Sequence, residues 1–217
     1  MTRDGTLTDS NNLRSQRRER TRKKILLAAV RIFAGQGFDA ASMGAIASRA
    51  GMKKALVQYH FETKLKLWQE SVNLLWDEMH SLAESLPKLG PQLSVEQERD
   101  QIREAFRAII RFAKQHPDWV GIMFREAATP GPRLDWLVEN HLGKDINDGV
   151  EFVTLAQSHG LLPAGSALHI LHIISGALTY ILLVAPLTKR ATGVDLTVDE
   201  SLDTTVDMLL TMLNPAR

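Results

Sequence analysis

The sequence predicts an all-α fold, and three observations support that prediction. Apolar residues recur at intervals of three and four along most of the chain, which is the spacing of one helix face. Capping residues, glycines and prolines stand at the ends of these segments. The alternation of apolar and polar residues that is typical of strands is absent from the sequence. We therefore expect a small helical domain at the N-terminus and a larger helical body behind it.

Composition limits the classes of protein that this sequence can encode. Of its 217 residues, 44% are hydrophobic and 24% are charged, as in ordinary soluble domains. It contains no cysteine, which excludes disulfides, thiolate metal sites and cysteine catalysis. We find no apolar run that looks long enough to cross a bilayer and no apolar core of a secretory signal. These features predict a cytoplasmic protein without a membrane partner.

Opposite charges are concentrated in different parts of the chain. Residues 1–64 hold 13 Lys and Arg and 5 Asp and Glu, a net charge of +8. The remaining residues hold 13 basic and 20 acidic side chains, a net charge of −7. A basic head on an acidic body suggests that only the head approaches a polyanion. The alternative is a basic tail that merely aids solubility.

The head begins with a basic segment and a helix. Residues 1–19 predict a disordered basic arm, because they are polar and lack periodicity. Helical spacing of Ile25, Ala29 and Phe33 then predicts a helix over residues 20–35. Glycines at its end favour termination there.

Residues 42–64 predict two short helices joined by a tight turn. Ser42 can cap the first helix, which extends to about Ala50. Gly51 supplies the positive φ that the turn needs. The second helix runs from about Lys53 to Tyr59 and begins with two lysines. A short helix held across another, with cations at its N-terminal end, fits the major groove of DNA, so we interpret residues 20–64 as a helix-turn-helix DNA-binding domain.

Three segments occur here in order: ILLAAVRIFAGQGFDAASM, IASRAGM and KKALVQYHFETKLKL. Together they resemble the N-terminal domain of the TetR family of transcriptional regulators, over residues 22–67. The resemblance implies a homodimeric, ligand-responsive regulator, most often a repressor, that releases a double-stranded DNA operator when a small-molecule effector enters its body. It implies neither catalysis nor a cofactor.

The candidate DNA-binding residues combine local chemistry with this resemblance. Ser42 offers a hydroxyl and free backbone N–H groups to a phosphate, although plain helix capping is compatible with that role. Lys54 could donate to guanine and Gln58 could pair with adenine, or either could contact a phosphate instead. His60 is either a phosphate contact or a semi-buried structural histidine. The full set is Arg22, Ser42, Met43, Gly44, Lys53, Lys54, Ala55, Leu56, Gln58, Tyr59, His60 and Lys64.

The reading helix departs from the commonest family pattern. Where that pattern has a small residue followed by threonine, leucine and tyrosine, this chain has Ala55, Leu56, Val57 and Gln58. The loss of a hydroxyl and an aromatic ring should change the preferred operator. No operator sequence is therefore inferred. The arm between Arg14 and Lys24 is expected to neutralise phosphates, with entry into a minor groove as the alternative.

The body, residues 65–217, predicts an effector-binding and dimerisation domain. Its expected helices cover residues 63–85, 94–115, the segment capped by Asp118, the segment that ends at Gly160 with an interruption near Gly143, 164–185, and a last helix opened by Thr197 and Glu200. Pro186 is expected to stop or kink the penultimate helix. Because that helix is apolar on most sides, we expect a second copy to cover the last two helices in a homodimer.

Several large side chains of the body could line an effector cavity, although at helical spacing each is more often part of a core. They are Trp76, Met79, Phe106, Ile110, Met123, Phe124, Trp136, Leu137, His172 and Tyr180. Two alternatives remain open at this point. His159, His169 and His172 could make the protein a metal-sensing regulator, or paired histidines could lie in a dimer interface. The chain could also be a helical adaptor without specific DNA binding. An enzyme is not expected, because catalytic motifs are missing from the sequence.

Overall fold

The structure is a computed structural model that describes residues 5–86, 88–90 and 92–213, with side chains from Asn12 onwards. Within these ranges all regular secondary structure is helical, which confirms the all-α prediction. The helices are α1 (Gly5–Ala40), α2 (Met43–Ala50), α3 (Lys54–Phe61), α4 (Lys64–Ser85), α5 (Val95–Gln115), α6 (Pro117–Ala127), α7 (Pro132–Leu137), α8 (Gly143–Ser158), α9 (Ala167–Thr192) and α10 (Asp199–Leu213).

The chain forms two compact units, Met1–Glu78 and Met79–Arg217. The division falls inside α4, later than the functional boundary that the sequence suggested after Lys64. In the N-terminal unit, α1, α2 and α3 surround a core in which Ile25, Phe33 and Ile46 are almost fully buried. This core depends on the apolar face of α1 that the helical spacing predicted.

The first helix begins much earlier than the sequence suggested. Residues 5–19, expected to be disordered, are the first turns of α1, while residues 1–4 of that expectation lie outside the described residues. Two physical reasons account for the difference. Arginine, glutamate and glutamine, which occupy six of the seven positions from Arg14 to Arg20, are good helix formers. Extension of an existing helix also needs no new nucleus.

The end of α1 follows the glycine signal closely. Gly37 has φ 79° and ψ 167°, which interrupts the helical backbone, and only a short last turn follows it to Ala40. That conformation is essentially restricted to glycine. The interruption redirects the chain towards α2.

The body is built around one apolar cluster contributed by four helices. Its helical members are Ile102, Phe106 and Ile110 of α5, Val153 and Ala156 of α8, Ile170, Ile174 and Leu178 of α9, and Leu202, Val206, Leu209 and Leu213 of α10, and Leu161 and Leu162 of the segment between α8 and α9 complete it. The predicted capping box at the start of α5 is present, since Ser94 and Gln97 bond to each other's backbone N–H groups. A π-helical turn, Val138–Leu142, interrupts the path into α8 at Gly143, where the sequence placed a break.

Two helix starts differ from the prediction. His116 is the N-cap of α6, because Pro117 takes the first helical position and leaves Asp118 inside the first turn. The proposed capping box of Thr197 and Glu200 is wrong as well. The Thr197 hydroxyl donates to Asp195 at 2.6 Å, so α10 starts later, at Asp199.

Helix α9 is longer than predicted. It continues through Pro186 to Thr192, since proline removes only one helical hydrogen bond and other contacts hold the final turns. Gly193, with φ 77°, closes the helix by donating to the Lys189 carbonyl at 2.9 Å. Lys189 also pairs with Asp195 at 2.8 Å.

The expectation that no apolar run is long enough to span a bilayer is wrong. By length and composition alone, α9 is long and apolar enough. The 26-residue helix α9 contains an 18-residue window with a mean hydropathy of 2.0, of which 28% is buried. Scattered polar residues interrupt the run without lowering its mean hydropathy enough to exclude a spanning helix. The exposed apolar surface of α9 therefore needs another explanation.

Gly37→Ala should lower the free energy of unfolding by about 1–3 kcal/mol, because alanine pays a steric cost in this backbone conformation. Gly35→Ala is the matched control: Gly35 is exposed, and a Cβ there would meet no atom within 4 Å. The control should be neutral or slightly stabilising. Urea unfolding followed by circular dichroism measures both, and equal effects of the two substitutions would contradict the assignment.

Candidate nucleic-acid interface

The turn between α2 and α3 is fixed by two capping interactions. Ser42 has extended backbone angles, and its Oγ accepts a hydrogen bond from the N–H of Ala45 at 3.1 Å. Gly51 has φ 66°, which places its N–H and that of Met52 on the last carbonyls of α2. Both local predictions are confirmed. Ser42 is exposed, so the N-terminal end of α2 is open to a phosphate.

Helix α3 separates a buried side from an exposed side. Val57 and Phe61 are almost fully buried and hold the helix against the core. Leu56 is 39% exposed and Tyr59 is 71% exposed, which leaves both side chains available for a partner. The predicted contact residues on the exposed side are Lys53, Lys54, Ala55, Leu56, Gln58 and Tyr59.

Arg22 is held by contacts inside the N-terminal unit. Its Nη1 donates to the His60 carbonyl at 3.3 Å, and its guanidinium carbon lies 4.6 Å from the centroid of the Phe61 ring. The same side chain pairs with Glu70 of α4. These contacts make Arg22 a positioning residue that ties α1 and α4 to the end of α3, a role that its predicted DNA contact did not include.

Lys64 is likewise occupied. Its Nζ donates to the carbonyls of Phe38 at 2.9 Å and Ala41 at 3.0 Å, and it lies 4.3 Å from the centroid of the Phe38 ring. A third carbonyl, that of Asp39, lies at 3.4 Å. Since an ammonium group has three donors, these contacts use its hydrogen-bonding capacity. Lys64 therefore stabilises the end of α1, and its predicted phosphate contact stays a prediction.

His60 occupies the last turn of α3 and is half-buried. Its Nδ1 is buried without a hydrogen-bond partner among the described residues, and its ring packs edge-on against Tyr59 with centroids 5.4 Å apart. Burial, followed by the positive charges of Arg18 and Arg22, lowers the pKa of His60, while Glu19 opposes the shift. The imidazole is therefore neutral at pH 7. Among the remaining predicted contacts, Met43 and Gly44 are half-buried in the first turn of α2.

The predicted effector-binding residues are not brought together as one set. Phe106 and Ile110 belong to the apolar cluster, and Leu137 is fully buried. His172 and Tyr180 are exposed on α9 instead. Trp76 is buried in the N-terminal unit, whereas the half-buried members of the body are Met79, Met123, Phe124 and Trp136. The binding roles of these residues stay predictions.

The histidines proposed as metal ligands are engaged elsewhere. Among the described side chains, no group of three or more His, Asp and Glu is placed to hold a metal ion. His159 lies 2.7 Å from the buried Glu98, and His169 bonds Ser166 at 2.8 Å. The proposal of a joint site of His159, His169 and His172 is therefore wrong. Spacing on one helix could not reveal that Glu98, 61 positions away, meets His159.

Sequence reasoning also missed two other polar pairs of the body. Glu126, almost fully buried, accepts from Arg133 at 2.9 Å. His80 lies 2.9 Å from Asp145, a separation of 65 positions that no local pattern encodes. Arg133 compensates the buried charge of Glu126, whereas His80 and Asp145 are half-buried, and nothing in the spacing of either pair marks it as functional.

His60 should titrate with a midpoint below the ordinary histidine value of about 6.5. Because its pKa is lowered on folding, its contribution to stability is complete above that value and is lost as the pH falls towards its folded pKa. NMR titration of the imidazole protons measures the midpoint. Arg18→Gln should raise it, whereas Arg31→Gln, an exposed control on the same helix, should leave it unchanged. A midpoint above 6.5 would contradict the assigned environment.

Comparison with known proteins identifies relatives of this N-terminal domain. Residues 25–70 match the family model described as bacterial regulatory proteins, tetR family. The transcriptional repressor NicS of Pseudomonas putida is 29% identical over 119 residues, which cover 55% of this chain and 54% of NicS. The transcriptional activator FasR of Mycolicibacterium smegmatis is 41% identical over 51 residues, covering 24% of this chain and 23% of FasR. The chain thus matches about half the length of NicS and less of FasR.

A solved structure extends the likeness to the whole fold. The crystal structure of HlyIIR, a hemolysin II transcriptional regulator, superposes with a TM-score of 0.63 at 20% identity and covers 92% of this chain and 99% of its own. Identity this low shows a shared fold. The N-terminal part of the chain, over residues 25–70, is therefore similar to the tetR family of bacterial regulatory proteins.

Proposed function

We propose that the protein is a dimeric transcriptional regulator that binds a DNA operator through α3 and is released from it by a small molecule. The observation that carries the proposal is the exposed, lysine-led face of α3, held by the capped α2 and the positive-φ turn. Such a helix is suited to the major groove. The family match lies on these same residues. We propose repression as the sign of regulation; NicS is a repressor, while FasR, an activator, shows that relatives use both signs.

The electrostatics of α3 favour DNA over a protein partner. Lys53 and Lys54 are exposed at the N-terminal end of the helix. Together with Ser42 they supply two ammonium groups, a hydroxyl and backbone N–H groups, the usual donors to phosphates and base edges. Gln58 follows one turn later on the exposed side. In this proposal α3 carries the base contacts and the start of α2 anchors the backbone.

A dimer follows from the exposed face of α9. At 100° per residue, Ile173, Tyr180, Leu183 and Leu187 fall within an arc of about 80° on one side of the helix, away from the buried Ile174. These four side chains are between 45% and 68% exposed. On α10, Met208 and Met212 add exposed apolar surface one turn apart. Exposed apolar side chains on one face of a helix are typical of an interface.

We propose that a second copy of the chain covers this surface by a two-fold axis. Two-fold contacts bring the same apolar patch of each subunit together, which a self-complementary helix pair allows. The exposed His172 lies on the same side of α9, so in the dimer it would supply polar contacts between the subunits. Dimerisation also gives DNA binding its geometry, because two heads can then meet successive major grooves.

Release by an effector follows from linkage. A small molecule weakens operator binding only by as much as it prefers the conformation that binds DNA poorly. The half-buried Met79, Met123, Phe124 and Trp136 are the side chains of the body that we propose to contact it, since aromatic and methionine side chains are typical of apolar ligand sites. Native mass spectrometry of the purified protein, with and without organic extraction, would detect a retained effector.

Gel shifts with genomic fragments of the source organism separate the candidate functions. Retention of specific fragments supports a regulator. A helical adaptor would retain none of them above the level of a scrambled duplex, and that result would reject the proposal.

Lys54→Ala should weaken binding to the selected operator by about 1–3 kcal/mol if Lys54 contacts a base edge, and should relax preference at one base pair. Lys88→Ala, which removes an exposed lysine of the body, is the matched control. Fluorescence anisotropy with a labelled duplex measures both. If the Lys54 variant binds the operator with unchanged affinity and still discriminates fully against mutated duplexes, Lys54 does not contact a base edge.

Ile173→Asp should dissociate the dimer, because it places a charge in the apolar surface of α9. Leu155→Asp on α8 is the control, since Leu155 is exposed to a similar degree outside that surface. Sedimentation velocity reports the mass of each variant. A dimeric Ile173 variant, or equal dissociation of both variants, would contradict the assigned interface.

A further inference from the structure

We propose that the basic N-terminal part of α1, residues 12–24 (the basic arm), is a helical clamp that contacts DNA phosphates flanking the base pairs read by α3. The inference rests on the proposed DNA binding and deepens it, because it adds a second contact surface and a longer footprint. Nothing in the helix-turn-helix geometry requires such an extension. The argument depends on the exposure, charge and position of the arm.

The arm is exposed on all sides from Asn12 to Arg20. Every described side chain from Asn12 to Arg20 is exposed, and the buried face of α1 starts only at Ile25. A helix that is polar all around gains nothing from the core of its own domain. The projecting turns therefore have no packing role within the N-terminal unit.

The arm carries a dense positive charge. Its basic side chains are Arg14, Arg17, Arg18, Arg20, Arg22, Lys23 and Lys24, and its single acidic residue is Glu19. Like charges three and four positions apart destabilise a helix. A polyanion removes that repulsion and gains from releasing its own counterions. The charge pattern therefore favours a partner with regularly spaced negative groups.

The base of the arm is fixed beside the end of α3. Arg22 bonds the His60 carbonyl and stacks on Phe61, so α1 and the last turn of α3 are tied at this point. One turn earlier, Arg18 is close enough to depress the pKa of His60. The cations of the arm therefore begin next to Tyr59 and His60, at the opposite end of α3 from Lys54. They are placed to continue the line of phosphate contacts beyond the reading helix.

The length of the arm sets the expected footprint. At 1.5 Å per residue, Arg14 lies about 12 Å along the helix from Arg22. Successive phosphates of one strand are about 3.4 Å apart along the duplex axis, so this span matches roughly three or four phosphates. Each arm should thus lengthen the protected DNA by a few base pairs.

A lipid surface is a poorer fit than DNA. Between residues 12 and 24, Leu13 is the only apolar side chain of the arm, and basic side chains point to several sides. Interfacial helices instead combine one apolar face with one basic face. A regular array of phosphates without an apolar phase, as on a duplex, matches the arm better.

The test compares the wild-type full chain with Arg14→Gln/Arg17→Gln, a pair of changes that removes charge while keeping good helix formers. The first probe is a random-sequence duplex of about 40 base pairs, long enough to exceed any single footprint. The slope of log K against log salt should become less negative by roughly 0.9 for each lost phosphate contact. Lys88→Gln/Arg190→Gln removes the same charge from exposed sites of the body and should leave the slope unchanged.

The second probe is the duplex that the full chain selects from a random library, used either trimmed to the half-sites or extended by about eight base pairs at each end, more than the arm can span. Wild type should bind the extended duplex at least about tenfold more tightly than the trimmed one at low salt, and the arm variant should lose that gain.

If no sequence is selected, the proposed regulator function fails, while the salt slope still tests the arm. If a sequence is selected but neither slope nor flank length responds to the arm variant, the clamp is rejected and operator binding stands. The clamp would also be rejected if the arm variant lost binding to vesicles of phosphatidylglycerol and phosphatidylcholine but kept the wild-type binding to both duplexes.

Discussion

The ammonium group of Lys64 closes the N-terminal unit, and the presentation of α3 depends on it. Gly37 ends the regular part of α1 and leaves carbonyls of its last turn without helical partners. Lys64, the first residue of α4, donates to the carbonyls of Phe38 and Ala41 and covers the Phe38 ring. The chain between these two points contains α2 and α3. One side chain thus fixes both ends of the segment that presents the reading helix.

This arrangement divides the cations of the N-terminal unit into two groups with different roles. Arg22 and Lys64 contact carbonyls and aromatic rings, and Arg22 also pairs with a carboxylate. Both side chains therefore stabilise the N-terminal unit. Lys53 and Lys54 are exposed. Their positive charge is uncompensated by the core and is available to a polyanion. A net charge of +8 over the first 64 residues therefore overstates the charge available to DNA in the proposed binding mode, and the exposed lysines and the exposed cations of the basic arm are the better guide to affinity.

Sequence reasoning succeeded where the signal is local. The Ser42 cap, the Gly51 turn and the Ser94 capping box each involve residues within four positions, and all three are present. It failed where tertiary contacts decide. Helix α9 continues through Pro186 because contacts further along hold its end, and His159 meets Glu98 across 61 positions. His172 and Tyr180 are exposed on α9, and their place in an effector cavity stays a prediction, because composition cannot tell which side of a helix faces inward.

Helix α9 also shows that composition alone cannot tell what covers an apolar helix. Its hydropathy and length suit a membrane span, a core helix or an interface helix equally well, since each requires an apolar surface. Exposure separates the last two roles, because one side packs on α5 and α10 while the other is bare. A lipid-facing helix has no need of His172 and Ser175 on its bare side, where unpaired polar groups would be costly. A protein interface can satisfy them, which supports the proposal that a second copy of the chain covers that surface.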